Sequence, residues 1–136
     1  MSIGYRPVLL DTNIASQRFK KRPQLDLGRL IGTTSVIAFV TYGELRKWAR
    51  IRDWAPHNIA VLSEWLDRTP VIDSDADIAT AWGELFAAGA KRGRPRPEND
   101  TWIAACSLVY DIPLATLNIK DFQDFVDNDG LRLVTL

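Results

Sequence analysis

The chain has 136 residues and a mass of 15.3 kDa, the size of one domain whose core needs no staples to fold. Its 46% hydrophobic and 25% charged residues are ordinary globular values, which exclude disorder, collagen-like repeats and coiled coil. The single cysteine, Cys106, excludes a disulfide framework and a cysteine-based zinc site, and a thiol without a partner fits a reducing cytoplasm.

The net charge is zero, yet residues 1–60 carry ten Lys and Arg against four Asp and Glu, while residues 61–136 carry seven against thirteen. Such a split either covers solvated faces or sets one surface against phosphates while acids elsewhere hold cations. No apolar run approaches the ~18 residues of a membrane span. Pro7 interrupts the start before any signal-like run develops, so a soluble cytoplasmic protein is expected.

Val8-Leu9-Leu10 is a short apolar run ending at Asp11-Thr12-Asn13, which predicts a buried strand entering a turn. Asn13 is placed to cap a short helix over Ile14–Phe19, ahead of the basic stretch Lys20-Lys21-Arg22. Ser35–Ala38 predicts a second buried strand. It leads into Thr41-Tyr42-Gly43-Glu44 and a helix with Leu45, Trp48 and Ala49 on one face. A helix is predicted from Pro56 to about Leu66, and a third strand over Pro70–Ile72. Ser74-Asp75-Ala76-Asp77 matches a capping box that opens a long helix to about Lys91. Two prolines and a glycine make residues 93–97 a loop. Pro97 or Glu98 opens the next helix, Pro113–Thr116 forms a fourth strand, Lys120–Val126 a short helix and Leu131–Val134 a last strand. Strands alternating with helices of this length predict an α/β domain with a mostly parallel sheet.

Ligands of an open parallel sheet bind beyond the carboxyl ends of its strands. Asp11 follows the first strand, Glu44 opens the helix after the second, and Asn118 and Asp121 follow the fourth. Asp100 falls in the first turn of the helix before that fourth strand. Each has a local role open to it: a Thr41–Glu44 capping box, a helix-dipole partner at Asp100, an N-cap at Asn118, a turn cap at Asp11. If the central strands are neighbours, however, all of these residues converge on one cleft. Carboxylates so close raise each other's pKa, and a divalent cation removes the conflict. Oxygen donors suit Mg²⁺ or Mn²⁺ rather than zinc, and His57, the only histidine, falls in a connecting segment. Such a site suits phosphodiester hydrolysis.

At these residues the chain resembles PIN-domain ribonucleases of the VapC type, the toxins of bacterial toxin–antitoxin pairs. The resemblance rests on Val8-Leu9-Leu10-Asp11-Thr12-Asn13, on Ser35-Val36 through Thr41-Tyr42-Gly43-Glu44-Leu45, on Asn99-Asp100-Thr101-Trp102-Ile103-Ala104-Ala105, and on Leu114 through Phe122. It covers nearly the whole chain, and it implies one PIN-like domain, a parallel sheet flanked by helices in an αβα sandwich. It implies an acidic quartet of Asp11, Glu44, Asp100 and Asp121 around Mg²⁺ or Mn²⁺, with Asp11 and Asp100 as direct ligands. Thr12, Asn13, Thr116 and Asn118 are then the polar supporting shell. A homodimer and an antitoxin whose C-terminal segment blocks the cleft are implied as well. Asn118 stands where wider PIN nucleases often have an aspartate, and Asp111 where a glycine often ends the helix.

Three basic clusters are candidates for gripping an RNA backbone: Arg18, Lys20, Lys21 and Arg22; Arg46, Lys47, Arg50 and Arg52; and Lys91, Arg92, Arg94 and Arg96. The third leads directly to Asp100, which favours Arg92, Arg94 and Arg96 for substrate contact. The five tryptophans are read as core or interface, with Trp102 the one candidate for base stacking. Two other classes compete. An aspartyl-phosphate phosphatase would use Asp11, Thr116 and Lys120, but Asn13 replaces the second aspartate it needs. A catalytically silent PIN-like module would act by binding its partner, in a regulatory complex on DNA.

Overall fold

The computed structural model describes residues 3–18 and 28–136, so the basic residues Lys20, Lys21 and Arg22 and the end of the expected first helix lie outside the described residues. Among the described residues are five strands: β1 (Pro7–Leu10), β2 (Thr34–Ala38), β3 (Val71–Ile72), β4 (Leu114–Thr116) and β5 (Leu133–Thr135). They form one sheet in the order β3-β2-β1-β4-β5, with every pairing parallel. Six α-helices accompany them among the described residues: α1 (Thr12–Gln17), α2 (Phe39–Ile51), α3 (Pro56–Arg68), α4 (Ala76–Lys91), α5 (Glu98–Tyr110) and α6 (Ile119–Asp129).

Strand side chains alternate between the two faces of the sheet, and the core divides accordingly. Leu9, Val36, Ala38 and Leu114 pack on one face with Ile78, Leu85, Ile103, Phe122 and Phe125 of α4, α5 and α6. Val8, Leu10, Ile37 and Ala115 pack on the other with Ile14, Leu45, Ala49, Leu62 and Leu66 of α1, α2 and α3. The central strands are apolar on consecutive residues because helices cover both sides. This is the expected αβα arrangement, and β1 lies between β2 and β4, so the loops after all three open at one edge.

Several local expectations change. Asp11, not Asn13, caps α1: its Oδ1 accepts the Ile14 N–H at 2.8 Å. Thr41 and Glu44 form no capping box, because α2 already starts at Phe39 and the hydroxyl of Thr41 meets that of Thr12 at 3.1 Å. Asp75 rather than Ser74 caps α4, accepting the Ile78 N–H at 2.9 Å. Asn118 precedes α6 without a side-chain cap bond. Asp111 takes the left-handed conformation (φ 53°) that a glycine would otherwise supply at the end of α5. Trp102 stacks on Trp82 at 4.8 Å and meets Phe39 edge-on at 5.4 Å, which accounts for its ring by packing. Among the described residues no helix is long and apolar enough to cross a membrane.

Candidate active site

Asp11 stands at the carboxyl end of β1, its backbone N–H held by the Ala115 carbonyl at 3.1 Å. It is buried, and both carboxylate oxygens are engaged. Oδ1 accepts the Ile14 N–H at 2.8 Å, and Oδ2 accepts the hydroxyl of Thr116 from the end of β4 at 2.5 Å. Thr116 in turn accepts the Asn118 N–H at 3.0 Å, tying the turn before α6 to the same carboxylate. From the first turn of α1, Thr12 donates to Glu44 Oε1 of α2 at 3.1 Å. Asp100 comes from the first turn of α5 and Asp121 from that of α6.

These elements enclose a cleft of about 140 Å³ lined by Asp11, Asn13, Glu44, Asp100, Asn118 and Asp121, with Thr12 among the remaining wall residues. At about 30 Å³ per water, that space takes an ion with a few waters rather than a whole nucleotide. Thr116 lies behind Asp11, outside the wall. Burial grades outward: Asp11 is buried, Glu44 and Asp100 are half-buried, and Asp121 is exposed.

Negative charge is concentrated here without an ion-pair partner among the described residues. Burial, and then the charges of Asp121, Asp11 and Glu44, push the Asp100 carboxyl up to about 6. Burial also raises Asp11, against the hydrogen bonds from Thr116 and Ile14 that favour its ionised form. Among the described residues, the ion pairs involve Glu64, Asp111, Asp124 and Asp129, and none takes a cleft acid. Nor do any three His, Cys, Asp or Glu among them stand as a ready-made ligand cluster. The site is a carboxylate-lined cleft rather than a closed cage.

The expected basic contacts fare differently. Arg96 is withdrawn from RNA contact: it is only 5% exposed, and its guanidinium is spent on Leu85, Asp124 and Asp129. Arg92 also donates to Asp124, at 2.8 Å, but stays exposed, as does Arg94. Arg46 is half-buried and donates to Ser63 at 2.9 Å, while Lys47 and Arg50 are exposed. Lys120 is not part of the cleft wall, and the Thr116 hydroxyl is committed to Asp11, so the phosphatase arrangement does not assemble.

Trp48 and Asn99 also line the cleft, and Thr41 supports it from outside the wall through the Thr12 hydroxyl at 3.1 Å; none of the three stands out in the sequence as part of the site. Trp48 lies one helical turn beyond Glu44, a spacing that places both on one face, and it walls the cleft with the Arg52 guanidinium 4.7 Å from its ring. His57 lies in the first turn of α3 rather than in a connecting segment, exposed and outside the cleft wall.

Fold and cleft define a class: a parallel α/β domain that gathers carboxylates at the carboxyl edge of its sheet. Residues 8–127 match the PIN domain family, and the chain belongs to that family. Ribonuclease VapC1 of Haemophilus influenzae (strain R2866) is 32% identical over 123 residues, covering 88% of this chain and 92% of that one. The tRNA(fMet)-specific endonuclease VapC of Shigella flexneri is 30% identical, over 85% of this chain and 89% of that one. Among solved structures, VapBC-1 from nontypeable H. influenzae aligns with a TM-score of 0.79 at 30% identity, covering 95% and 97% of the two chains. VapBC2 from Rickettsia felis, bound to a DNA fragment from its promoter, aligns at 0.78 with 26% identity over 95% and 98%.

Proposed function

We propose that the chain is an endoribonuclease toxin of a toxin–antitoxin pair. It hydrolyses RNA phosphodiester bonds with the help of Mg²⁺ or Mn²⁺, and a cognate antitoxin holds it inactive. One observation carries the reading: Asp11, Glu44, Asp100 and Asp121 meet on one cleft, with no basic partner among the described residues. The relatives' names, ribonuclease and endonuclease, supply the substrate class.

The donor set fits a hard divalent cation. It offers oxygen alone, and Mg²⁺ keeps several waters while binding through one or two carboxylates, so it needs no three-carboxylate cage. Asp11, buried at the end of β1, and Asp100, half-buried in the first turn of α5, would hold the ion from different elements of the cleft wall. Glu44 and Asp121 would hold its waters. When bound, such an ion stabilises charge on the phosphate oxygens and makes a coordinated water more acidic. The chain's own part is orientation. Ile14 N–H and the Thr116 hydroxyl fix Asp11 and leave its remaining lone pairs for the cleft, Thr12 aims Glu44, and the Asn13 and Asn118 amides line the wall where phosphate oxygens would rest. Products carry 5′-phosphate and 3′-hydroxyl ends. The toxin acts in the cytoplasm as a homodimer, which an antitoxin segment closes by lying across the cleft.

The test is cleavage of total RNA by antitoxin-free protein with Mg²⁺, with EDTA, and with Asp11→Asn plus Mg²⁺. Cutting that needs both the ion and Asp11 is expected; equal cutting by wild type and variant refutes the cleft as its source. A second reading, the silent module that binds its partner on DNA, draws on the R. felis complex with promoter DNA. A folded wild type that cuts no RNA but binds such DNA with an antitoxin favours that reading.

A further inference from the structure

Asp100 and Asp121 come from different helices, α5 and α6, so their separation depends on how the segment that opens α5 is fastened to α6. Arg96 sits four residues before Asp100 and reaches α6. Its Nε donates to Asp124 Oδ2 at 2.8 Å and a terminal nitrogen donates to Asp129 Oδ2 at 2.6 Å, while the other terminal nitrogen donates to the Leu85 carbonyl of α4 at 2.8 Å. The guanidinium carbon lies 4.1 Å from the centre of the Phe125 ring, and Arg92 adds a second bond to Asp124 Oδ2 at 2.8 Å. Asp124 is one helical turn beyond Asp121. A rigid fork with five donors can join three segments in this way, and a lysine cannot.

Gly89, in the last turns of α4, makes room for the fork. A Cβ there would lie 2.8 Å from Arg96 Cδ, 2.9 Å from its Cγ and 2.9 Å from the Arg94 carbonyl oxygen. Glycine inside a helix gives up about 1 kcal/mol against alanine, so the helix carries a local disadvantage where the clamp passes.

We propose that Arg96 is a positioning residue for the acid cleft: by clamping the segment before α5 onto α6 it sets the spacing between Asp100 and Asp121. This rests on the divalent-cation reading above. The test measures Mn²⁺ binding to the purified chain by calorimetry, without RNA, alongside thermal unfolding. Gly89→Ala displaces the Arg96 side chain, and with it the Arg94 carbonyl, without changing any charge. Asp124→Asn removes the charged acceptor but keeps its shape, and Arg96→Lys keeps the charge without the fork. Each should weaken Mn²⁺ binding by about tenfold, as outer-shell changes commonly do, at a temperature where the variant is fully folded. Asp127→Asn removes the same charge from α6 at an exposed position whose partner is Gln123, and its Mn²⁺ affinity should match wild type. Lowered unfolding midpoints with unchanged Mn²⁺ affinity would overturn the proposal by making Arg96 a fold-stabilising residue only. Equal weakening in Asp127→Asn would overturn it by reducing the effect to lost charge. A wild type that binds no Mn²⁺ would refute the cation reading itself, and the proposal with it.

Discussion

Replacing Asp100 by asparagine should make the metal-free protein more stable while removing its activity. The Asp100 carboxyl is pushed up to about 6 in the folded chain, from an ordinary 3.8, by burial first and then by Asp121, Asp11 and Glu44. The folded state therefore holds this proton more tightly than the unfolded state. Stability falls as pH rises through the window from about 4 to about 6, and stays lower above it. At about 1.4 kcal/mol for each pH unit of that gap, the penalty is up to about 3 kcal/mol. Asp100 is half-buried, and solvent screening reduces this to about 1–2 kcal/mol. Asp100→Asn keeps the shape and deletes the charge, so near neutral pH it should unfold about 3–8 °C above wild type. The gain should fade toward pH 4. Melts followed by circular dichroism across this range, in EDTA, measure both. A variant no more stable than wild type near neutrality, or a gain independent of pH, refutes the claim that these acids repel one another in the cleft. Added Mg²⁺ should then raise the wild-type midpoint and close the gap, by stabilising only the state that binds it.

Thr116→Val removes the donor to Asp11 Oδ2 and the acceptor for the Asn118 N–H. It should cost about 1–3 kcal/mol of stability and raise the Asp11 carboxyl further, read by urea unfolding and by carbonyl NMR titration. Cys106 is wholly buried, and burial, with a smaller push from Asp75, raises its thiol to about 12. It should resist iodoacetamide at mild alkaline pH in the folded chain and react promptly in urea; rapid native labelling would refute that burial. Gly130 ends α6 at φ 79° with nothing within 4 Å of the Cβ position, so Gly130→Ala should cost about 1 kcal/mol from backbone conformation alone, measured by chemical denaturation.

The strands were legible because β1, β2 and β4 are covered on both faces and so read as short apolar runs closed by polar residues. Their lateral order was not, since nothing within Val8–Leu10 or Leu114–Thr116 says that β1 lies between β2 and β4. Helix starts were misplaced where a polar residue had a distant partner. Thr41 resembles a cap in sequence, but its hydroxyl meets Thr12, twenty-nine residues away, and α2 starts before it. The candidate acids could be listed because a strand end or a first helical turn is a local property. Thr41 and Trp48 were assigned no role in the site because both sit inside α2, and only packing against α1 and α5 gives that helix its facing.

The basic loop marks the same boundary between local and distant information. Arg92, Arg94 and Arg96 lie close together in a stretch rich in proline and glycine, the pattern of a solvated cationic loop. Their fates diverge because Asp124 and Asp129, on a helix some thirty residues later, pair with two of them. The excess acid of the second half of the chain is thus partly neutralised by arginines of that same half, and Arg132 with Asp111 continues the pattern. Had Asp100 and Asp121 found arginines in the same way, the cleft would be a structural ion-pair network. Instead the arginine four residues before Asp100 is turned onto α6, and both acids line the cleft. That distribution ties the segment before α5 to α6 through Arg96, while the cleft acids take no ion-pair partner among the described residues.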